Sequence, residues 1–230
     1  TVFISYRGTD DTLVGWKEDV HMMFESPLPS QIKAEEYLKE VAEMHKGKIL
    51  LGGHSKGGNL SVWAAVNACP QIRERIANVY SNDGPGFNAD FYKHEGYKDL
   101  YRKITKLVPD SSIVGIAFEE NDGYEIICSR EKNFYQHDPF SWEITRDKFI
   151  RKSQLSPFGK KTDDLLKKWL ASMTVEERRF FTDTVFEILA STKAKTLTEL
   201  NSAKMKSAAI AAHTMRNMDK ENRKKLIMFL

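Results

Sequence analysis

Residues 48–60 read Lys48-Ile49-Leu50-Leu51-Gly52-Gly53-His54-Ser55-Lys56-Gly57-Gly58-Asn59-Leu60 and carry the strongest structural signal in the chain. A short apolar run typical of a buried strand leads into a glycine-rich turn and then into helix-forming residues. Within the turn, Gly53, Ser55 and Gly57 form the pattern G-x-S-x-G. Small residues at these positions allow a strained turn that lifts the serine hydroxyl above a sheet. The stretch therefore predicts a nucleophile elbow with Ser55 at its tip.

Two other interpretations of this turn stay open. A glycine-rich connection between a strand and a helix can carry an incidental serine. A phosphate-binding loop also has this general form, but it requires Ser or Thr after its lysine, and Lys56 is followed by Gly57. The phosphate-binding loop is therefore the weaker alternative.

From Thr1 to about Ser153, short apolar runs alternate with helical stretches, which is typical of βα units around a mostly parallel sheet. Residues 113–118 and 124–128 are expected to pair as a hairpin through a turn that contains Asp122 and Gly123. The expected strands are residues 2–6, 48–51, 76–81 and 104–108, and the expected helices are residues 32–45, 56–68 and 97–102.

The composition changes after Pro157, where strand signals vanish and apolar residues recur at helical spacing. Thr174 and Glu177 have the spacing of a capping box and predict the start of one helix. Two more helices are expected before and after about Asp219. We therefore expect an α/β domain over residues 1–153 and a basic, all-helical extension over residues 154–230.

The charge is unevenly distributed along the chain. The 35 Lys and Arg residues against 32 Asp and Glu give a formal net charge of only +3, which excludes a surface that binds polyanions all round. Residues 148–230, however, carry a net charge of +9 and residues 1–147 carry −6. The basic extension can be interpreted simply as a solvated surface. The more specific interpretation is peripheral contact with an anionic membrane. Nucleic acid is not an expected partner, because no recognised binding motif is present.

Several features bear on the compartment. The apolar stretches are far shorter than the roughly 20 residues that a transmembrane helix needs. Cys69 and Cys128 are expected to be reduced core thiols of a cytoplasmic protein. Because the chain opens on a strand at Thr1 rather than on Met, upstream residues that could include a targeting segment are expected to be missing.

Two segments carry a family resemblance: Phe3-Ile4-Ser5-Tyr6-Arg7-Gly8-Thr9 with Trp16 and Asp19, and Gly53-His54-Ser55-Lys56-Gly57-Gly58. They resemble class 3 lipases, and more closely a group of uncharacterised bacterial lipase-like proteins of that fold. Residues 81–87 and 136–142 resemble the same group, so the resemblance covers about residues 2–146. It implies an α/β-hydrolase fold, with a mostly parallel sheet flanked by helices. Class 3 lipases usually place Leu after the serine, where this chain has Lys56.

A serine nucleophile needs a histidine that takes its proton. In α/β-hydrolases the order along the chain is serine, acid, histidine. His54 lies inside the elbow and is expected to point away from the hydroxyl, His94 lies in a polar helix, and His213 lies in the helical extension. His137, in a loop shaped by Asp138-Pro139, is therefore the expected base, with a structural loop histidine as the alternative.

The acid that orients this histidine is expected beyond the carboxyl end of a later strand. Asp83 and Asp110 both follow strands, whereas the other candidates lie in helices, in a turn, or beside His137 itself: Asp90, Asp99, Asp122 and Asp138. Residues 108–114 resemble the aspartate segment of class 3 lipases. Asp110 is therefore the favoured acid, and Asp83, among Gly84-Pro85-Gly86, is the alternative.

Two further elements are expected around the nucleophile. The backbone N–H of Lys56 is the expected first oxyanion donor, because it follows the nucleophile. The resemblance implies Thr9 as the second donor, with an ordinary surface loop as the alternative. It also places a lid after Trp16-x-x-Asp19, so that Met22, Met23 and Phe24 are either an acyl-facing flap or simply core.

Together these residues predict a serine hydrolase that cleaves a carboxylic ester, of an acyl lipid or another apolar acyl compound. The expected mechanism uses a Ser55–His137–Asp110 triad and an acyl-enzyme, and no metal or other cofactor. Acyl transfer to an alcohol other than water is one alternative. A binding or scaffold protein that has kept the fold without activity is another, since fold does not fix function.

Overall fold

The computed structural model describes residues 1–22, 24–117 and 123–229, and these residues fall into two compact units. The first unit comprises Thr1–Gly8 and Glu25–Trp169, and the second comprises Thr9–Phe24 and Leu170–Leu230. The second unit is thus discontinuous in sequence, and the domain boundary expected after residue 153 stays a prediction.

The strands are β1 (Val2–Tyr6), β2 (Ile49–His54), β3 (Ile76–Asn82), β4 (Ile104–Pro109), β5 (Glu125–Ile127), β6 (Ile144–Thr145), β7 (Lys148–Phe149) and β8 (Arg151–Lys152). The helices are α1 (Leu13–His21), α2 (Pro29–Met44), α3 (Lys56–Asn67), α4 (Pro70–Arg73), α5 (Ala89–Lys93), α6 (Glu95–Leu100), α7 (Pro157–Ala171), α8 (Val175–Ser191), α9 (Leu197–Ser202), α10 (Lys204–Asn217) and α11 (Lys220–Phe229). Short 3₁₀ turns lie at Tyr101–Lys103, Asn133–His137 and Pro139–Ser141.

A six-stranded sheet in the order β1-β2-β3-β4-β5-β8 forms the centre of the first unit. Strands β1 to β5 are parallel, and β8 is antiparallel to β5. The predicted α/β class, with a mostly parallel sheet flanked by helices, is confirmed. Helix α3 packs on β1, β2 and β3, and fully buried apolar residues of the strands, such as Leu51 and Val79, form the core beneath it. Because β2, β3 and β4 are parallel neighbours, the residues that follow them meet at one edge of the sheet.

The expected hairpin of residues 113–118 with 124–128 is wrong. Residues 113–117 form bends and turns, and β5 pairs in parallel with β4 instead. Residues 118–122, including the expected turn residue Asp122, lie outside the described residues. The segment buries its apolar side chains by folding over the end of the sheet: Ile116 packs with Val108 and Leu155 and is 2% exposed.

The second unit is helical, as expected for the C-terminal region. Helix α8 packs against α1, α10 and α11. The predicted capping box is confirmed, because Thr174 Oγ1 accepts from Glu177 N at 3.2 Å and Glu177 Oε2 accepts from Thr174 N at 2.8 Å. Within the described ranges, no helix combines the length and the apolar character needed to cross a bilayer.

Candidate active site

Ser55 occupies a sharp turn between β2 and α3, with φ 58° and ψ −132°. Glycine is required on both sides of it. A Cβ atom at Gly53 would lie 2.3 Å from Gly57 C, and one at Gly57 would lie 2.1 Å from Tyr6 O. The G-x-S-x-G spacing therefore has a steric cause: strand, turn and helix approach too closely for side chains at the two glycine positions.

The turn is also fixed by backbone hydrogen bonds. Ser55 N donates to Asn82 O at 2.9 Å, and Gly58 N donates to Ser55 O at 2.8 Å. Asn82 is the last residue of β3, so the serine is tied to the neighbouring strand. This bond sets Ser55 beside the residue that follows β3, which is Asp83.

His137 lies next to the serine hydroxyl. Its Nε2 is 2.9 Å from Ser55 Oγ, and its side chain is 17% exposed. It ends the 3₁₀ turn Asn133–His137, which lies between β5 and β6 in the chain. The structure thus brings together the two residues that the sequence predicted as nucleophile and base.

Asp83 contacts the other nitrogen of the same imidazole. Its Oδ2 lies 2.7 Å from His137 Nδ1, and its side chain is fully buried. The backbone of Asp83 has φ 52°, a left-handed conformation that aspartate tolerates better than most residues, and its N donates to Leu107 O of β4 at 2.8 Å. With Nδ1–H donating to the carboxylate, Nε2 is left to accept the proton of the Ser55 hydroxyl.

The second carboxylate oxygen of Asp83 is tightly enclosed. Oδ1 is buried and has no hydrogen-bond partner in the part of the chain that the structure describes. A Cβ atom at Gly115 would lie 2.1 Å from it, so this glycine leaves the space that the carboxylate occupies. The segment 113–117 therefore constrains the position of the Asp83 carboxylate.

Asp110, the favoured acid, is not the carboxylate that faces His137, and this corrects the sequence-based expectation. It does follow β4 and is 6% exposed, but its Oδ1 accepts from Gln136 Nε2 at 2.9 Å and its Oδ2 accepts from Lys152 Nζ. Burial alone would raise the pKa of Asp110, yet the hydrogen bonds from Lys152 and Gln136 hold that pKa below its usual range. Its carboxylate is thus engaged by other partners, and Asp83 occupies the place expected of it.

His54 packs against His137 rather than standing apart from the site. The two rings lie 4.5 Å apart at 37°, and His54 Nε2 donates to the backbone O of His137 at 2.7 Å. Burial, and secondly the electrostatic influence of the neighbouring His137, lower the pKa of His54. Because the partner is a carbonyl oxygen, the hydrogen bond to His137 O requires a proton on His54 Nε2.

The two predicted oxyanion residues lie in different compact units. Lys56 is buried at the first position of α3, where backbone N–H groups point out of the helix toward the preceding Ser55. Thr9 belongs to the second unit, where its Oγ1 donates to Asp19 Oδ2 at 2.5 Å. The role of both residues as donors stays a prediction.

The predicted lid also belongs to the second unit. Met22 is 7% exposed, and the half-buried Phe24 ring lies 5.3 Å from that of His21. Met23 lies outside the described residues. Burial of Met22 fits a core residue, and the flap stays a prediction.

The remaining candidates from the sequence have local roles. His94 Nδ1 accepts from Gly96 N at the start of α6, Asp138 accepts from Phe140 N, and His213 is exposed beside Asn217. Asp90 pairs with Lys93, and Asp99 pairs with Arg73. Among the described residues no three His, Cys, Asp or Glu side chains come together as metal ligands.

A family model described as Mbeg1-like matches residues 1–187. The chain belongs to the Mbeg1-like family. Searches of curated proteins and of solved structures gave no significant match. Ser55, Asp83 and His137 all lie within the Mbeg1-like match, whereas α9, α10 and α11 lie beyond it.

Three residues around this Mbeg1-like site, Gln136, Gly115 and Lys152, were not predicted from the sequence, and His54 was considered only as a base. Gln136 adjoins His137 in sequence, and that adjacency is the signal that could have found it. Gly115 and Lys152 give no local signal, because each meets its aspartate only through the fold.

Proposed function

We propose that this protein is a serine hydrolase of the α/β-hydrolase fold that cleaves carboxylic esters. The observation that carries the proposal is the series of hydrogen bonds Ser55 Oγ–His137 Nε2–His137 Nδ1–Asp83 Oδ2, with the serine at a strand-to-helix turn. A nucleophile, a base and a group that orients the base, in this contact order, form the arrangement that activates a hydroxyl. Membership of the Mbeg1-like family, which is reported as lipase-like, supports the same reaction class.

In the proposed reaction, Ser55 Oγ attacks the ester carbonyl while its proton moves to His137 Nε2. Asp83 stabilises the imidazolium that forms, without itself taking the proton. The Lys56 N–H stabilises the oxyanion, an effect of about 3 kcal/mol for one donor. His137 then protonates the leaving alcohol, and a water molecule activated by His137 hydrolyses the acyl-Ser55 ester and regenerates the hydroxyl.

The segment that follows His137 in the chain favours an apolar acyl group. An open cleft of about 700 Å³ is lined largely by apolar residues that follow His137, among them Phe140, Trp142, Ile144 and Phe149. Phe140 is 88% exposed and Ile144 64% exposed. Covering such side chains with an acyl chain would stabilise the complex by about 25 cal/mol per Å² of apolar surface.

The basic helices α10 and α11 support a second part of the proposal, peripheral contact with anionic lipid. Lys204, Lys206, Lys224 and Lys225 are exposed there, as are the apolar side chains of Met205 and Ile227. Basic and apolar groups together are typical of surfaces that lie on membranes.

A fluorophosphonate probe tests the hydrolase directly. The probe should label the wild type and the Ser202→Ala control, which lacks an exposed serine of α9, but not Ser55→Ala. Turnover of a panel of esters graded by chain length should follow the same pattern. A folded wild type that neither reacts with the probe nor hydrolyses any ester would favour a scaffold protein instead.

A further inference from the structure

Asp110, Gln136 and Lys152 form a hydrogen-bonded group that the proposed reaction does not use. Gln136 Nε2 donates to Asp110 Oδ1 at 2.9 Å, and Lys152 Nζ donates to Asp110 Oδ2. Gln136 directly precedes His137 in the 3₁₀ turn and is 4% exposed. The Asp110 carboxylate therefore holds the residue next to the proposed base.

The amide of Gln136 is fixed by more than one partner. Its Oε1 accepts from Ser111 N at 2.8 Å, and its Nε2 also donates to Glu131 O at 2.9 Å. Its backbone O accepts from Trp142 Nε1 at 2.8 Å. A buried amide with these partners satisfies its polar atoms in one orientation only. The turn that carries His137 is thus tied down at the position before the imidazole.

Asp110 is itself anchored to the sheet and to α7. Its N donates to Ile127 O of β5 at 3.2 Å, and its O accepts from Ser156 N at 2.8 Å. A Cβ atom at Gly159 of α7 would lie 2.5 Å from Asp110 O, so the helix start packs closely on this backbone. The backbone of Asp110 is therefore held in place by β5 and α7. Its carboxylate extends this constraint to the histidine turn through the hydrogen bond from Gln136.

We propose that Asp110 is a positioning residue that fixes His137 through Gln136, while Lys152 holds the Asp110 carboxylate in place. The inference rests on the proposed hydrolytic function of Ser55 and His137. Two neighbouring strands, β3 and β4, then lead to two aspartates with separate tasks: Asp83 contacts the imidazole, and Asp110 holds the backbone that carries it. Since a misplacement of about 1 Å can cost about 100-fold in rate, loss of this hold lowers turnover more than substrate binding.

The experiment compares Asp110→Ala, Asp110→Asn, Gln136→Ala and the double variant of Asp110→Ala with Gln136→Ala. Turnover is expressed per active site titrated with the fluorophosphonate, so that unfolded molecules do not count. Asp110→Ala should lower kcat about 10- to 100-fold and leave KM nearly unchanged. Asp110→Asn should lower kcat by less than about tenfold, because the asparagine oxygen still accepts from Gln136 and the half-exposed Lys152 can turn to water.

The double variant tests the path through Gln136. If Asp110 acts through this residue, the double variant should be no slower than Gln136→Ala alone, since the two side chains form one unit. Losses that simply multiply would overturn the path. An unchanged kcat per site in Asp110→Ala would overturn the positioning role altogether.

Two further variants serve as controls, one that should have no effect on kcat and one that should have a large effect. Glu125→Gln breaks an ion pair with Arg151 between β5 and β8, beside Lys152 in the sheet but away from the histidine turn, and should leave kcat unchanged. Asp83→Asn should lose about 10⁴ in kcat by favouring the wrong histidine tautomer. A loss in Asp110→Asn as large as that in Asp83→Asn would make Asp110 the acid of the triad and overturn the proposal.

A spectroscopic measurement separates this inference from the proposed function. The ring ¹H–¹⁵N resonances of His137, assigned by their loss in His137→Gln, report the imidazole's environment without any turnover. They should shift or broaden in Asp110→Ala and stay in place in Glu125→Gln. If the wild type shows neither labelling nor turnover, the hydrolase proposal fails, and unchanged resonances in Asp110→Ala would still overturn the positioning.

Discussion

The backbone of Ser55 is strained. Its φ of 58° and ψ of −132° cost a non-glycine residue about 1–3 kcal/mol. The bonds from Ser55 N to Asn82 O and from Gly58 N to Ser55 O hold the turn against that strain. The strain has a chemical use, because this conformation aims the hydroxyl away from the sheet and toward His137.

Removing the Cβ atom of Ser55 should therefore stabilise the fold while abolishing activity. In Ser55→Gly the relief of about 1–3 kcal/mol exceeds the cost of extra freedom in the unfolded chain, about 0.5–1 kcal/mol. Ser55→Ala is the matched control, because it also lacks the hydroxyl but keeps the Cβ atom and the strain. Urea unfolding should show Ser55→Gly to be the more stable of the two by about 1 kcal/mol. Equal stability would mean that the turn is unstrained.

His54 gives the protein a specific dependence on pH. Burial and the neighbouring His137 lower the pKa of His54, so the folded state binds its proton less readily than the unfolded chain. The stability it contributes is complete above the unfolded pKa of about 6.5 and is lost as the pH falls through the folded pKa.

The free energy of unfolding should consequently fall more steeply below pH 6.5 in the wild type than in His54→Gln, by at most about 1.4 kcal/mol per pH unit. The glutamine can still donate to His137 O but does not titrate. His45→Gln removes an exposed histidine and should keep the wild-type slope. If the slopes of the wild type and His54→Gln coincide, His54 does not titrate differently on folding.

At this scale the sequence singled out Ser55 and His137, which the structure places in contact, but it favoured Asp110 where Asp83 contacts the imidazole. Motif and strand-turn-helix pattern single out Ser55, and His137 was reached by elimination among the histidines. Asp83 and Asp110 both follow strands, and only the left-handed backbone of Asp83 decides which carboxylate turns toward the imidazole. That conformation depends on packing from β4 and residue 115, which no local pattern encodes.

At the scale of elements, the parallel strands β1 to β4 and the helices α2 and α3 follow the sequence closely, because their apolar periodicity is strong. The segment 113–117 does not, since its apolar residues have a strand-like composition but pack over the sheet edge. Gly115 lies at the centre of this segment, with Ser112 Oγ accepting from its N at 3.0 Å. Because Gly115 has no side chain, the segment can pack directly against the Asp83 carboxylate.

Gly115→Ala should therefore affect both stability and turnover. The new Cβ atom would overlap Asp83 Oδ1, and such overpacking costs about 1–3 kcal/mol unless the carboxylate moves. Movement of Asp83 would weaken its bond to His137 and lower kcat about 10-fold or more. Gly47→Ala, where the nearest atom would be Thr1 N at 3.3 Å, is the control and should change little. Normal stability and kcat in Gly115→Ala would show that the segment 113–117 can move to accommodate the new methyl group without disturbing Asp83.

The loop after His137 should select for apolar acyl chains. Phe140→Ser removes an exposed ring from the cleft and should lower kcat/KM on long-chain esters about tenfold, with little effect on short ones, because only a long chain covers the ring. Phe158→Ser, which removes a 43% exposed ring of α7 that does not line the cleft, should affect neither class of ester. Equal losses on short and long esters would assign Phe140 to the loop's structure rather than to the substrate.

At the scale of the molecule, the second unit is discontinuous in sequence, a feature that composition alone does not reveal. Helix α1 packs against α8, where Asp183 accepts from Lys17 at 2.7 Å and lies 3.2 Å from His21 Nε2. Composition shows where strands give way to helices, but not that an early helix joins the late ones. The predicted lid residues consequently belong to a helical unit whose other members begin about 150 residues later.

The basic surface of the second unit should bind anionic vesicles in a salt-dependent way. Exposed lysines each contribute about 1 kcal/mol near an anionic surface, and salt screens that attraction over roughly 10 Å at 0.1 M. A variant with Lys204, Lys206, Lys224 and Lys225 changed to Gln should therefore lose most of its binding to vesicles containing phosphatidylserine.

The matched control changes four exposed lysines of the first unit, Lys33, Lys39, Lys46 and Lys48, to Gln and should bind like the wild type. Neutral vesicles should bind neither the wild type nor the two variants, because the apolar side chains of α10 and α11 do not suffice for binding without attraction between charges. Binding that is equal in both variants, or unchanged between low and high salt, would exclude the helical unit as an electrostatic membrane contact.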